Sequence, residues 1–208
     1  ELGKMEDSEE RVGGTRQGKP GMTDRVLLLN LYLTQFLVLL LALIFLFFQG
    51  RLSADLFVWR EGLFWAVGAL LGMVAVGIEI FLALVLPAEW LDDGGINLRL
   101  FRRRSLLHIA WIALLVSVAE ELLFRGAVQH WLGIWGTSLL FTLIHFRYLR
   151  QWAMASLLFV ISAALGWVVE WSGTLTPAIV AHFIIDFVMG TLIRLGKIPG
   201  MEVPTDKA

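Results

Sequence analysis

Apolar residues fill the chain in long runs, each closed by a short polar or glycine-bearing break. Residues 26–48 hold only Asn30, Thr34 and Gln35 as clearly polar side chains before Gln49-Gly50-Arg51. Residues 62–86 form a second run, stopped by Pro87, and residues 106–124 a third. After Gly133 and Gly136 a shorter run covers 137–146, and another covers 151–169 with Gly166 inside it. Thr176-Pro177 opens a last run to about residue 193, with proline in the first turn, where its missing N–H is no loss. Crossing a bilayer takes about 20 apolar residues, which most of these runs supply. The pattern predicts an all-α fold, a polytopic transmembrane helix bundle of about six membrane segments, the fourth short or broken.

The polar remainder sets the boundaries. Residues 1–25 are rich in Gly, Lys, Arg and Glu and read as a flexible tail, with Met5 or Met22 as candidate starts. Residues 26–194 form the bundle and 195–208 a second polar tail. No signal peptide is expected, because the first apolar run is too long and no small-residue cleavage site closes it. Residues 51–60 read as a loop with an interfacial turn carrying Phe57 and Trp59. Residues 87–105 read as a polar connector with a turn at Asp92-Asp93-Gly94-Gly95, and 126–132 as a short amphipathic turn. Arg99, Arg102, Arg103 and Arg104 in the connector act as topology determinants. With the basic residues of both tails and of 147–150, they place both termini in the cytoplasm.

Composition sharpens this picture. Hydrophobic residues make up 58% of the 208, against about 45–50% in soluble domains. The net charge of −1 offers no general attraction for nucleic acid. There is no cysteine, which excludes disulfides, thiolate metal sites and a cysteine nucleophile. The nine tryptophans suit membrane interfaces.

Against this background one stretch stands out, Ser117-Val118-Ala119-Glu120-Glu121-Leu122-Leu123-Phe124-Arg125-Gly126. A charge at membrane depth costs about 2.5–3.5 kcal/mol on insertion scales. Either the helix ends at Ala119 and the charges sit among headgroups, or the acids are buried for a purpose. On a helix Glu121 and Arg125 stand four apart and can pair. Glu120 points about 100° away. One carboxylate is then structural and the other free for chemistry. Glu79, late in the second run, has no evident partner and reads as structural or interfacial.

Two further clusters lie on apolar segments: His145, four residues after Phe141, and His182 with Asp186, also four apart. Intramembrane ionisable residues face a bundle interior or a wet cavity. Were 126–146 a full crossing, Glu120 and His145 would lie near opposite faces of the membrane. A half-crossing return at Gly133–Gly136 would bring them to similar depth. Such a set suits hydrolysis: a desolvated glutamate as general base, a histidine to help polarise the water, and a second polar pair for the oxyanion.

Glu-Glu-Leu-Leu-Phe-Arg (120–125), Phe141-Thr142-Leu143-Ile144-His145 and His182-Phe183-Ile184-Ile185-Asp186 follow one another in the order EExxxR, FxxxH, HxxxN/D. This resembles the CPBP (Abi) family of CAAX-protease and bacteriocin-processing intramembrane proteins, which includes the Rce1-type CAAX endopeptidases. The resemblance covers roughly residues 100–195. It implies Glu120 as general base, His145 as its partner on the water, His182 and Asp186 on the oxyanion side, and Glu121 with Arg125 in support. Eukaryotic members carry Asn where this chain has Asp186, and a carboxylate cannot donate a hydrogen bond. Asp186 must therefore be protonated or orient His182.

The resemblance implies an integral membrane peptidase of a prokaryotic plasma membrane, with no cofactor. Its partners are membrane lipid and a peptide or prenylated-protein substrate. CAAX proteins, bacteriocin leaders and signalling peptides all fit. Three other readings compete. One is a zinc protease using Glu120, His145 and His182, although HExxH is absent. Another is a non-catalytic scaffold or regulator of the same family. The last is a proton-coupled transporter, which lacks the support of an inverted repeat.

Overall fold

The computed structural model describes residues 23–87, 90 and 94–198. The expected tails outside 23–198, and Asp92 and Asp93 of the expected turn, lie outside the described residues. Helix α1 spans Asp24–Phe48, α2 Gly62–Val85, α3 Ile96–Phe101, α4 Leu106–Glu121, α5 Gln129–Ile144, α6 Trp152–Ser172 and α7 Thr176–Arg194. A π-helical segment, Leu122–Val128, joins α4 to α5 without a break. A single 3-10 turn, Ala54–Leu56, lies between α1 and α2.

Five helical stretches are long and apolar enough to cross a membrane, among them the continuous run Leu106–Ile144. The chain is an integral membrane protein. Its surface fits that setting: Phe36, Phe48, Leu70, Leu84 and Leu107 are all more than half exposed. Tryptophans cluster at both ends, Trp59 against Trp65 at one and Trp90 against Trp152 at the other.

The Leu106–Ile144 run corrects the expected separation of a third and a fourth segment. The helix does not stop at Phe124, and 126–132 is not a surface turn. A straight helix of its 39 residues would measure about 58 Å, nearly twice the ~30 Å apolar core of a bilayer. The run instead folds back at Gly133, where φ is 63° and ψ −178°. Only glycine adopts this region readily. Gly136, also expected to interrupt, lies within the helix. The returning half of α5 packs on α6, and Phe141 meets Phe124 edge-on at 4.9 Å between ring centroids. Seventeen positions along a straight helix would separate them by about 25 Å. The return expected from the glycine break is thus present, at Gly133.

Helix α7 packs against α2, α3, α4 and α6. The small-residue face of α2 serves this internal contact: a Cβ at Gly68 would stand 2.5 Å from the Pro177 carbonyl oxygen, and one at Gly72 2.8 Å from that of Ala181. At one end of the bundle, Asp24 of α1 pairs with Arg99 of α3 at 3.1 Å. At the same end Arg194 of α7 donates to the Arg104 carbonyl. The start of α1 and the end of α7 therefore lie together. The polar connector expected at 87–105 thus contains a short helix, α3, beyond the turn expected there. At the opposite end the loop after α1 secures the irregular backbone. Arg51 donates to the Gly126 carbonyl at 2.7 Å and Gln49 to that of Ala127 at 3.0 Å. Buried carbonyls beside a π-turn need such partners.

Candidate active site

The last turn of α4 and the π-segment carry Glu120, Glu121 and Arg125 into the bundle, not into headgroup water. Glu120 is 8% exposed, Glu121 0% and Arg125 2%. Glu121 and Arg125 pair at 3.1 Å, as their spacing predicts. The second guanidinium nitrogen of Arg125 donates to Ser162 of α6, to the carbonyl at 3.0 Å and to Oγ at 2.8 Å. The guanidinium also lies 4.9 Å from the centroid of Phe141. Breaking a buried pair by removing one partner costs about 3–5 kcal/mol, so this unit holds α4, α5 and α6 together.

His182 of α7 completes the unit. Its Nδ1 lies 2.7 Å from the same Glu121 oxygen that Arg125 contacts. A carboxylate only accepts, so the imidazole carries its proton on Nδ1. Its Nε2 then faces Oε2 of Glu120 at 4.0 Å and Oδ2 of Asp186 at 3.6 Å. Glu121 thus orients His182, a role beyond the pairing with Arg125. Asp186 is the more open of these carboxylates, its side chain 30% exposed.

His145 caps the C-terminus of α5, where the backbone leaves helical values (φ −84°, ψ 47°). Its Nδ1 bonds the Phe141 carbonyl at 2.7 Å, and a carbonyl only accepts. The proton is therefore on Nδ1 and Nε2 is left for the cavity. The imidazole is held between Phe141 and Tyr148, with centroids 4.5 and 6.3 Å away.

Glu120, His145, His182 and Asp186 line one cavity of about 610 Å³. The cavity runs toward the end where α3 lies, and Asn97, Arg147 and Tyr148 form part of its wall there. The three motifs, separate in sequence, therefore share one enclosure. Glu79 lines it as well, within electrostatic reach of Asp186, so it is not isolated from other ionisable groups.

One contact had no sequence expectation. Gln35 of α1 donates from Nε2 to Oε1 of Glu120 at 3.0 Å. An amide among the few polar side chains of a long apolar run, with Asn30 and Thr34, was the available signal, since polar side chains in membrane helices seek partners on other helices. Ser162 gave only a small hydroxyl in an apolar helix, a weaker mark.

Residues 102–188 match the model of the type II CAAX prenyl endopeptidase Rce1-like family. The chain is also 42% identical over 126 residues to an uncharacterized protein, YpbD, of Bacillus subtilis (strain 168). That alignment takes in 58% of this chain and 67% of YpbD. The chain belongs to the Rce1-like family. The Rce1-like match contains Glu120, Glu121, Arg125, His145, His182 and Asp186, and it leaves Gln35 and Glu79 outside. No solved structure matches significantly.

Zinc was the alternative set on Glu120, His145 and His182. Among the described residues no three His, Asp or Glu side chains are grouped to hold a metal ion.

Proposed function

We propose that this Rce1-like protein is an intramembrane endopeptidase in which Glu120 activates water for attack on a peptide bond. The observation that carries the reading is the unequal treatment of the two adjacent acids. Glu121 is consumed by Arg125 and His182, while Glu120 has a neutral amide on one oxygen and turns the other toward His182 across a cavity. A carboxylate bonded by a neutral amide, with no guanidinium bonded to it, keeps more of its basicity than one paired as Glu121 is, and a general base needs that basicity.

In the proposed reaction a water in the cavity gives a proton to Oε2 of Glu120 as its oxygen bonds to the scissile carbonyl carbon. Nε2 of His145, with its proton fixed on Nδ1, helps to hold that water. The carbonyl oxygen becomes an oxyanion. A proton on Nε2 of His182, beside Asp186, would make that ring a donor to it. Collapse breaks the C–N bond, and Glu120 returns its proton to the departing amine. In this scheme Asp186 orients His182 and carries its charge, so no donation from Asp186 is required.

Family membership supports a prenylated CAAX protein or a related peptide as substrate, taken from a lipid-bounded cavity. The bacterial relative supports a prokaryotic plasma membrane. Arg99, Arg104, Arg194 and Lys197 lie at the end that holds both bundle termini, which supports a cytoplasmic orientation for that end and for the cavity mouth.

The test is cleavage of quenched fluorescent peptides, a farnesylated CAAX peptide among them, by the purified protein in detergent. Cleavage that Glu120→Gln and His145→Ala abolish and that survives a chelator supports the reading. Cleavage lost to chelator and restored by zinc would replace it with a metalloprotease. A folded protein that cleaves none of the peptides, and whose Glu120→Gln variant behaves as wild type in cells, would favour a scaffold.

A further inference from the structure

The base must present one chosen oxygen, and the residue that makes the choice is on α1, outside the matched region. Gln35 is 6% exposed and Glu120 8%, so water does not exchange freely with their 3.0 Å bond. The bond ties down Oε1 of Glu120, and the untied Oε2 is the oxygen that faces Nε2 of His182. Without that tie the carboxylate is free to rotate, and its two oxygens exchange.

The chemistry of the partner matters as much as its position. Glu121, the structural acid, is held by a guanidinium. Glu120 is held by an amide, which orients it without a compensating charge. An amide also carries both a donor and an acceptor. Oε1 of Gln35 is buried and has no hydrogen-bond partner among the described residues. After Oε2 takes the proton, Oε1 becomes the carbonyl oxygen of the acid and still accepts from Nε2 of Gln35, so the same bond holds Glu120 before and after proton transfer. A lysine or arginine could donate in both states, but its charge would favour the carboxylate and lower the basicity of Glu120.

We propose that Gln35 is a positioning residue for the general base, holding Oε1 of Glu120 so that Oε2 takes the proton of the attacking water. This rests on Glu120 being the base. It extends the machinery to α1 and gives the first helix a role beyond packing.

The experiment compares wild type with Gln35→Met, close in size but unable to bond, and with Gln35→His, which retains a neutral N–H. A hydrogen bond to a charged group corresponds to a rate effect of about 10- to 100-fold. The expected result is a kcat for Gln35→Met lower by about that factor with KM within about twofold, and partial recovery in Gln35→His. Isotope-edited infrared spectra of the same proteins, with Glu120→Gln used to assign the band, should show the Glu120 carboxylate stretch displaced in Gln35→Met. Turnover at the wild-type rate, a loss confined to KM, or an unmoved Glu120 band would overturn the inference. If wild type cleaves no peptide, the proposed activity fails, and the infrared band alone decides whether Gln35 holds Glu120.

Discussion

Nδ1 of His182 donates to Glu121 across 2.7 Å, joining α7 to the last turn of α4. Because the same carboxylate oxygen takes Arg125, and Arg125 reaches Ser162, one acid organises three helices around its neighbour Glu120. The adjacent acids therefore differ in kind, and substitutions should separate them.

Glu121→Gln removes the charge opposite a guanidinium that is 2% exposed. The loss should be about 3–5 kcal/mol of stability, seen as a marked fall in Tm in detergent together with loss of activity. A Glu121→Gln protein with the wild-type Tm would contradict the structural role.

Glu120→Gln should perturb Tm far less than Glu121→Gln, because no guanidinium bonds Glu120 and its nearest basic group, His182, stands 4.0 Å away. Peptide cleavage should fall by at least the ~10²–10⁴-fold credited to a general base. Paired Tm and kcat measurements on the two glutamine variants make this comparison.

The fold-back at Gly133 should tolerate no side chain. Nothing lies within 4 Å of a Cβ built there, so the cost of Gly133→Ala comes from the backbone alone, at φ 63°. That cost is about 1–3 kcal/mol. Because α5 carries His145, kcat should drop along with stability. Gly136→Ala probes a different effect, a 2.9 Å contact with the Leu132 side chain within an otherwise helical backbone.

On α2, Gly72→Leu should destabilise the bundle by about 1–3 kcal/mol or more through overpacking, since even a Cβ would stand 2.8 Å from the Ala181 carbonyl. Gly77→Leu, where nothing lies within 4 Å of the added Cβ, should be close to neutral. Thermal unfolding of the pair in detergent checks it. Equal effects would mean that α2 does not pack on α7 by this face.

The sequence by itself determined the helices and much of the chemistry, because both are local. Long apolar runs can satisfy their backbone in lipid only as helices. The four-residue spacing places Arg125 against Glu121 wherever the helix lies. The motif residues His145, His182 and Asp186 could be named from one-dimensional spacing alone. Even the return at Gly133 was open to inference, since a full crossing would have stranded His145.

Tertiary structure decided which faces meet. In a chain that is apolar all round, no contrast between wet and dry faces tells a helix which neighbour to choose, and close packing makes the choice instead. That is why Gln35 reaching Glu120, Glu79 joining the cavity wall and Ser162 accepting Arg125 could not be read from spacing. The π-helical passage through 122–128 is likewise held from outside its own segment, by Arg51 and Gln49 on its carbonyls.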